Sequence, residues 1–169
     1  MDWTWRGGLV IYKAGDHLVH PGHGGCTIMK IEKREFGGVT AKYFIMIPNG
    51  DSQTTILVPV DRIDEIGFRE LISVKEADHI LSFFSAEKAE RNSDSKKRQQ
   101  AYEEAMKSGN LEAIAKMIND LLVHDKVSTL SNFEKELLPK AQKKLFSEIA
   151  LVKGMDINCV INLVNDMII

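Results

Sequence analysis

The sequence predicts an α+β protein in which a small, bent β-sheet precedes a set of helices. Short runs rich in β-branched residues, separated by turn signals, fill the first half of the chain. Helix-capping patterns and apolar residues at helical spacing fill the second half. The change falls near Gly67, and a boundary is expected at roughly 67–72. Strands followed by helices indicate either one α+β domain or two separate domains.

Four apolar segments are predicted to be strands. Gly37-Gly38 and Asn49-Gly50 are turn signals between them, and Asn49-Gly50 suits a hairpin turn in which both residues have positive φ. Pro59 cannot donate to a sheet hydrogen bond, so it marks an edge or a strand end. So many short strands in so few residues favour a strongly bent sheet or a half-barrel. The predicted strands are HLVH at 17–20, CTIMKIEK at 26–33, AKYFIMI at 41–47 and TTILVPV at 54–60.

The second half contains explicit helix start and stop signals. Ser73 with Glu76, and Ser131 with Glu134, form capping boxes, in which each side chain bonds a backbone amide at the helix start. Residues 86–100 contain almost no large apolar side chain, so a linker is expected there that leads into a polar helix start. The remaining predicted boundaries are caps at Asp94, Asn110 and Asp156 and stops at Gly109 and Gly154.

The composition of the whole chain limits the classes of function. A net charge of −2 over 169 residues argues against strong DNA binding by the free protein, because free-standing DNA binders are usually basic. No run of about 18 apolar residues is present, and the opening MDWTWRGG lacks a secretion pattern. A cytoplasmic protein without a membrane span is therefore expected. Cys26 and Cys159 lack zinc-type spacing and are expected to stay reduced.

Three histidines are the strongest candidates for metal chemistry. His17, His20 and His23 are spaced three apart, but positions three apart on a strand point to opposite faces, so His17 and His20 should diverge. His23 lies in a glycine-rich turn, and a structural role in that turn is the favoured interpretation. No zinc-protease, phosphate-loop or nucleophile-elbow motif is present. The sequence therefore predicts a protein that is not an enzyme and needs no cofactor or metal.

Basic residues give the candidate contacts for nucleic acid. Lys96-Lys97-Arg98 opens a predicted helix, where both basic side chains and free backbone amides can meet phosphates. Lys140 and Lys144 are four apart on the long helix and share a face. The alternative for both sets is an ordinary solvated helix face.

Several segments together resemble the CarD family of bacterial transcription regulators. YKAGDHLVHPGHGG (12–25) is similar to the family's opening signature, and ILVPV (56–60) to the strand that ends its first domain. SGNL (108–111) and LSNFEKELLPKA (130–141) resemble its helical domain. A related first domain occurs in the transcription-repair coupling factor, but there a motor follows, whereas helices follow here. The resemblance covers roughly residues 11–155.

The resemblance implies two domains with two partners. A Tudor-like domain at 9–68, after an extension at 1–8, would bind the β subunit of RNA polymerase. A helical domain at 69–169 would contact promoter DNA at the upstream edge of the melted region and help to stabilise the open complex. Arg34 matches the family's polymerase-contacting arginine. Leu57 stands where some members carry a second arginine, which implies a weaker or differently shaped polymerase interface.

The DNA site departs further from the family pattern. Ser95 stands where many members carry a tryptophan that wedges into the minor groove, and serine cannot occupy an unstacked base step. Lys97 and Arg98 match the basic residues that follow, and with Lys140 they would hold promoter phosphates. Tyr102 is a candidate substitute for the missing wedge. The alternative function is a protein-interaction module on the polymerase with little or no DNA contact.

Overall fold

The computed structural model describes residues 4–6, 10–85 and 91–168. These form two compact units, Met1–Leu71 and Ile72–Ile169. An antiparallel sheet dominates the first unit and helices form the second, so the predicted α+β class is confirmed.

The first unit is built from strands and one short helical segment. Its elements are β1 (Thr4–Arg6), β2 (Val10–Tyr12), β3 (His17–His20), β4 (Gly24–Phe36), β5 (Val39–Pro48), β6 (Ile56–Pro59), a 3₁₀ turn (Val60–Arg62) and α1 (Ile63–Ile66). Strands β3 to β6 form a sheet in which sequential neighbours pair antiparallel, and β1 pairs with β2 in a second, two-stranded sheet. All four segments predicted to be strands are confirmed as strands, and β6 ends at Pro59 as expected.

The longest hairpin joins β4 to β5 through the predicted Gly37-Gly38 turn. Both glycines have positive φ, +60° and +81°, and Phe36 pairs with Val39 across them. A side chain at either φ would be strained, so glycine is required by the backbone here.

The other predicted hairpin turn has a different conformation from the one expected. Gly50 has φ +82°, but no described non-glycine residue has positive φ, so the expectation for Asn49 was wrong. The amide of Asp51 donates to the carbonyl of Pro48 at 3.1 Å, which closes a turn with positive φ only at its third residue. Strand β6 starts at Ile56, and because a seven-residue connection separates it from β5, the tight two-residue turn is not needed.

A β-bulge at Met29 sets which side chains of β4 face the core. The register shifts between Ile28 and Lys30, so Ile28 and Ile31 both lie on the inner face although they are three apart. Met29 is left exposed. The inner face packs with residues from the flanking segments into one core, which includes Tyr12, Leu18, Ile28, Phe44, Met46, Val58, Ile63 and Phe68.

The second unit contains five helices within the described residues, each started by the side chain that the sequence predicts. They are α2 (Val74–Leu81), α3 (Ser95–Ser108), α4 (Leu111–Asp125), α5 (Asn132–Lys153) and α6 (Ile157–Met167). Both capping boxes are formed, and Asp94, Asn110 and Asp156 accept hydrogen bonds from first-turn amides. Gly109 and Gly154 end their helices in the left-handed conformation. The predicted caps and stops are therefore confirmed.

Helix α5 is the centre of the helical core. Leu145, Phe146 and Ile149 are fully buried, and the rings of Phe84 and Phe146 meet edge to face with centroids 5.8 Å apart. Fully buried Glu148 accepts a hydrogen bond from the amide of Ile72 at 3.0 Å, which satisfies one carboxylate oxygen.

Two sequence-based expectations fall partly outside the described residues. The proposed extension at 1–8 is described only at Thr4–Arg6, which pairs with Val10–Tyr12. Residues 86–90 of the expected linker also lie outside them. No helix among the residues that the structure describes is long and apolar enough to cross a membrane.

Candidate partner-binding surfaces

The first candidate surface is the outer face of the β4–β5–β6 sheet, the face turned away from the core. Strand register places Arg34 opposite Ala41 and Tyr43 opposite Glu32. On the other side of β5, Leu57 lies opposite Ile45. Because side chains two apart on a strand share a face, Arg34 and Leu57 lie on the same face. The structure thus places on one sheet face, at β5 partners four positions apart, the two residues that the family resemblance assigned to polymerase binding.

A chain of ion pairs holds the Arg34 side chain along its strand. Glu32 accepts from Lys30 Nζ at 2.6 Å and from Arg34 Nε at 2.5 Å, and all three side chains are on the outer face. These hydrogen bonds, from Lys30 and then Arg34, hold the pKa of Glu32 below its usual range. Arg34 is 38% exposed, and since a guanidinium has five N–H donors, it keeps donors for a partner.

Two exposed apolar side chains, Phe36 and Val39, flank Arg34 toward the hairpin turn, and the sequence analysis did not identify them. Phe36 and Val39, which pair at the hairpin turn, are 52% and 67% exposed, and Leu57 is exposed as well. The Phe36 ring meets Tyr43 edge to face with centroids 5.4 Å apart. Arginine and aromatic residues on one patch form the composition typical of interface hot spots. The Gly37-Gly38 turn was a usable signal, because a two-residue hairpin loop fixes the pairing of its flanks.

The histidines have structural partners. His17 Nδ1 lies 2.9 Å from Thr27 Oγ1 on the neighbouring strand. His20 Nδ1 accepts from the amides of Gly22 and His23 at 2.9 and 3.1 Å, and its ring packs against Phe68. Burial, followed by the charge on His23, lowers the pKa of His20. Among the described residues, no group of three or more His, Cys, Asp or Glu side chains could hold a metal ion.

The second candidate surface is the start of α3 in the helical unit. The Asp94 side chain accepts from the amides of Lys96 and Lys97 at 3.0 and 3.3 Å. These two amides are therefore occupied, and the carboxylate adds a negative charge where a phosphate was expected to meet free backbone amides. Any phosphate contact here depends on the exposed side chains of Lys96 and Lys97.

Arg98 is engaged in the interior of the unit. Its side chain is only 16% exposed, and its Nε lies 3.5 Å from Glu134 Oε1. Its Nη1 donates to the carbonyls of Asn92 and Ser93 at 2.7 and 3.2 Å. Arg91 also donates to Glu134. Arg98 therefore offers fewer donors to a phosphate than its place in the sequence indicates.

The expected wedge position and its proposed substitute have opposite environments. Ser95, the first residue of α3, is exposed, so a larger side chain there would point into solvent. Tyr102 is 8% exposed, and its hydroxyl donates to Asp120. Burial and the Asp120 carboxylate raise the pKa of Tyr102. Tyr102 is thus part of the core and cannot serve as a wedge, so the hypothesis that it replaces the tryptophan was wrong.

Lys140 and Lys144 share a face of α5 but differ in their surroundings. Lys144 Nζ donates to the carbonyl of Met106 at 3.0 Å, near the end of α3, where a cation is favourable. Lys140 is exposed, one turn before Lys144. It lies about 9 Å along the helix axis from Glu134, which touches the start of α3. The described part of the chain gives no contact that joins Lys140 to Lys97.

Comparisons with known proteins agree with this architecture. The family model "CarD, C-terminal domain" matches residues 79–165, which is 87 of the 169 residues, and "CarD-like/TRCF RID domain" matches residues 12–72. A Bacillus subtilis (strain 168) protein named "Putative transcription factor YdeB" is 28% identical over 145 residues, which cover 86% of this chain and 94% of that protein.

The two matched domains follow each other in the same order as the sheet unit and the helical unit. The helical match is the informative one, because the first domain is a type that CarD-like proteins share with the coupling factor TRCF. The chain therefore belongs to the CarD-like family of transcription factors.

Proposed function

We propose that this protein regulates transcription initiation by docking its outer sheet face on the β subunit of RNA polymerase and contacting promoter DNA with its helical unit. The DNA contact lies at the upstream edge of the melted region and modulates the stability of the open complex. The protein performs no chemistry itself.

The observation that carries this proposal is the outer face itself. It combines an arginine, fixed by Glu32 but with donors to spare, with the exposed apolar side chains of Phe36, Val39 and Leu57. An isolated sheet unit gains nothing from exposing these side chains together, whereas a partner that covers them gains apolar burial and an arginine anchor. Leu57 stands where some members of the family carry an arginine, so this part of the face is apolar. It therefore suits a partner surface with fewer carboxylates than an arginine at this position would bind.

A charge reversal at Arg34 tests the docking surface. Arg34→Glu removes the anchor and places a second carboxylate beside Glu32, so we expect binding to polymerase to weaken at least about 30-fold. Lys33→Glu is the matched control, because Lys33 is the adjacent residue on the opposite face and the change in net charge is the same. Equal affinities of the two variants in a polymerase-binding titration would contradict the assignment.

The DNA contact in this proposal rests on exposed lysines. Lys97 at the start of α3 and Lys140 on α5 would each neutralise a phosphate, which makes the contact weak and salt-dependent but independent of sequence. Arg98 would contribute mainly by holding the helix start in place. Lys97→Gln should shorten the open-complex lifetime, whereas Lys107→Gln, at the far end of α3, should leave it unchanged.

The second candidate function is a polymerase-interaction module with little or no DNA contact. Three features of the α3 start favour it: Asp94 occupies the first-turn amides, Ser95 offers no wedge, and Glu134 engages Arg98. A footprint on a melted promoter separates the two functions, because only the first protects DNA at the upstream edge.

A further inference from the structure

Glu134 is a buried carboxylate that connects two segments of the helical unit. Its side chain is only 4% exposed. One oxygen, Oε1, faces the guanidinium groups of Arg91 and Arg98. The other, Oε2, accepts from the amide of Ser131 at 2.9 Å and completes the capping box of α5. A single side chain thus bonds both the start of its own helix and the segment that precedes α3.

Capping alone does not require this burial. The capping box of α2 has the same geometry, with Glu76 Oε2 2.7 Å from the amide of Ser73, yet Glu76 is exposed. Burying a carboxylate is unfavourable unless cations and hydrogen bonds compensate for its lost hydration. At Glu134, the two arginines and Ser131 provide that compensation. The α2 box caps its helix with an exposed glutamate, so capping alone does not explain why two arginines face Glu134.

The arginines transmit the position of Glu134 to the start of α3. Arg98 Nη1 donates to the carbonyls of Asn92 and Ser93, the two residues immediately before the cap Asp94. Asn92 in turn accepts from the amide of Asp94 at 3.0 Å. The contacts therefore run without a gap from Glu134, through Arg98, to the residue that caps α3.

We propose that Glu134 is a positioning residue, which holds the start of α3 in the conformation that presents Lys97 to promoter phosphates. Its effect on DNA rests on the proposed function, whereas its hold on the α3 start does not. Neither Glu134 nor Arg98 touches DNA in this proposal. A charged residue of α5 would thus control a contact made by another helix.

Amide hydrogen exchange of the full chain tests the hold directly. Glu134→Gln keeps the size of the side chain but removes the charge that the arginines face. We expect the first-turn amides of α3, including those of Lys96 and Lys97, to exchange at least about tenfold faster in this variant. Glu76→Gln is the matched control, because it alters the corresponding box of α2 and should leave these amides protected. Unchanged exchange in Glu134→Gln would overturn the proposal.

Open-complex lifetime, titrated with each variant on cognate polymerase, tests the effect on DNA. A variant that merely unfolds more easily needs a higher concentration but reaches the same final lifetime. A mispositioned helix start lowers the final lifetime itself, even at saturating protein, because polymerase binding by the sheet unit does not restore the lost DNA contact. We expect this second pattern, with a several-fold lower increase in lifetime for Glu134→Gln than for Glu76→Gln.

The exchange and lifetime measurements together distinguish a failure of the positioning role of Glu134 from a failure of the proposed function. Faster exchange with a lower final lifetime supports the positioning role. Faster exchange with the wild-type final lifetime overturns the role in DNA contact and leaves the proposed function standing. If the wild-type protein does not change the lifetime at all, the proposed function fails, and the exchange measurement alone decides whether Glu134 holds the α3 start.

Discussion

Replacing Ser95 with tryptophan should strengthen the effect of this protein on the open complex. Ser95 is the first residue of α3 and is exposed, so a large ring can be added without displacing the core. The cap Asp94 and its hydrogen bonds to the following amides stay in place. Substitutions at such exposed positions change stability by about 0.5 kcal/mol or less, so the variant should fold normally.

The size of the gain follows from what the ring can contact. Stacking of one base on an aromatic side chain contributes about 1–3 kcal/mol, and ordering the new ring consumes part of it. A net gain of about 1–2 kcal/mol corresponds to a roughly 5- to 30-fold longer open-complex lifetime. The wild-type protein lacks this wedge, so its own effect should be the smaller of the two.

The assay is the decay of heparin-resistant complexes of cognate polymerase on one promoter, at saturating protein. Ser108→Trp is the matched control, because Ser108 is exposed at the other end of the same helix. If Ser95→Trp binds polymerase normally but prolongs the lifetime no more than Ser108→Trp does, a ring at this position makes no contact with the melted DNA.

Two further predictions concern stability. Phe146→Ala should lower the free energy of unfolding of the helical unit by about 3–5 kcal/mol, because Phe146 is fully buried against Phe84. Urea unfolding followed by far-UV circular dichroism measures this change. A loss below about 1 kcal/mol would contradict the packing. Acidification from about pH 7.5 to about 5.5 should destabilise the sheet unit. Burial lowers the folded-state pKa of His20, so the unfolded chain binds more protons as the pH falls below about 6.5. His20→Asn should reduce this pH dependence, as followed by NMR of the sheet unit during urea titration, and an identical dependence in both proteins would exclude His20 as its source.

Local signals made the helical unit predictable. Ser73 and Ser131 start their helices, and Gly109 and Gly154 end theirs, because capping depends on residues within one turn of the helix end. The partners of Glu134 were not predictable in this way. Arg91 and Arg98 are 43 and 36 residues away in the chain, so only the packing of α3 against α5 brings them together.

In the sheet unit too, features fixed by neighbouring residues could be predicted from the sequence, whereas features that depend on distant residues could not. The Gly37-Gly38 turn defines which residues pair next to it, so the neighbours of Arg34 followed from the sequence in principle. The place of Leu57 on the same face did not, because the irregular connection between β5 and β6 leaves their register open. The Asn49 expectation failed for the same reason, since the length of that connection removed the constraint on its φ.

The open-complex lifetime in the presence of the wild-type protein is the most direct test of the proposed role in transcription initiation. Cognate polymerase on one well-behaved promoter should be measured without the protein, with it, and with Arg34→Glu. We predict a lifetime that rises to a plateau with the wild-type protein and an absent or strongly right-shifted response with Arg34→Glu. A lifetime unchanged by wild-type protein that is demonstrably bound to polymerase would contradict the DNA contact and favour the interaction module.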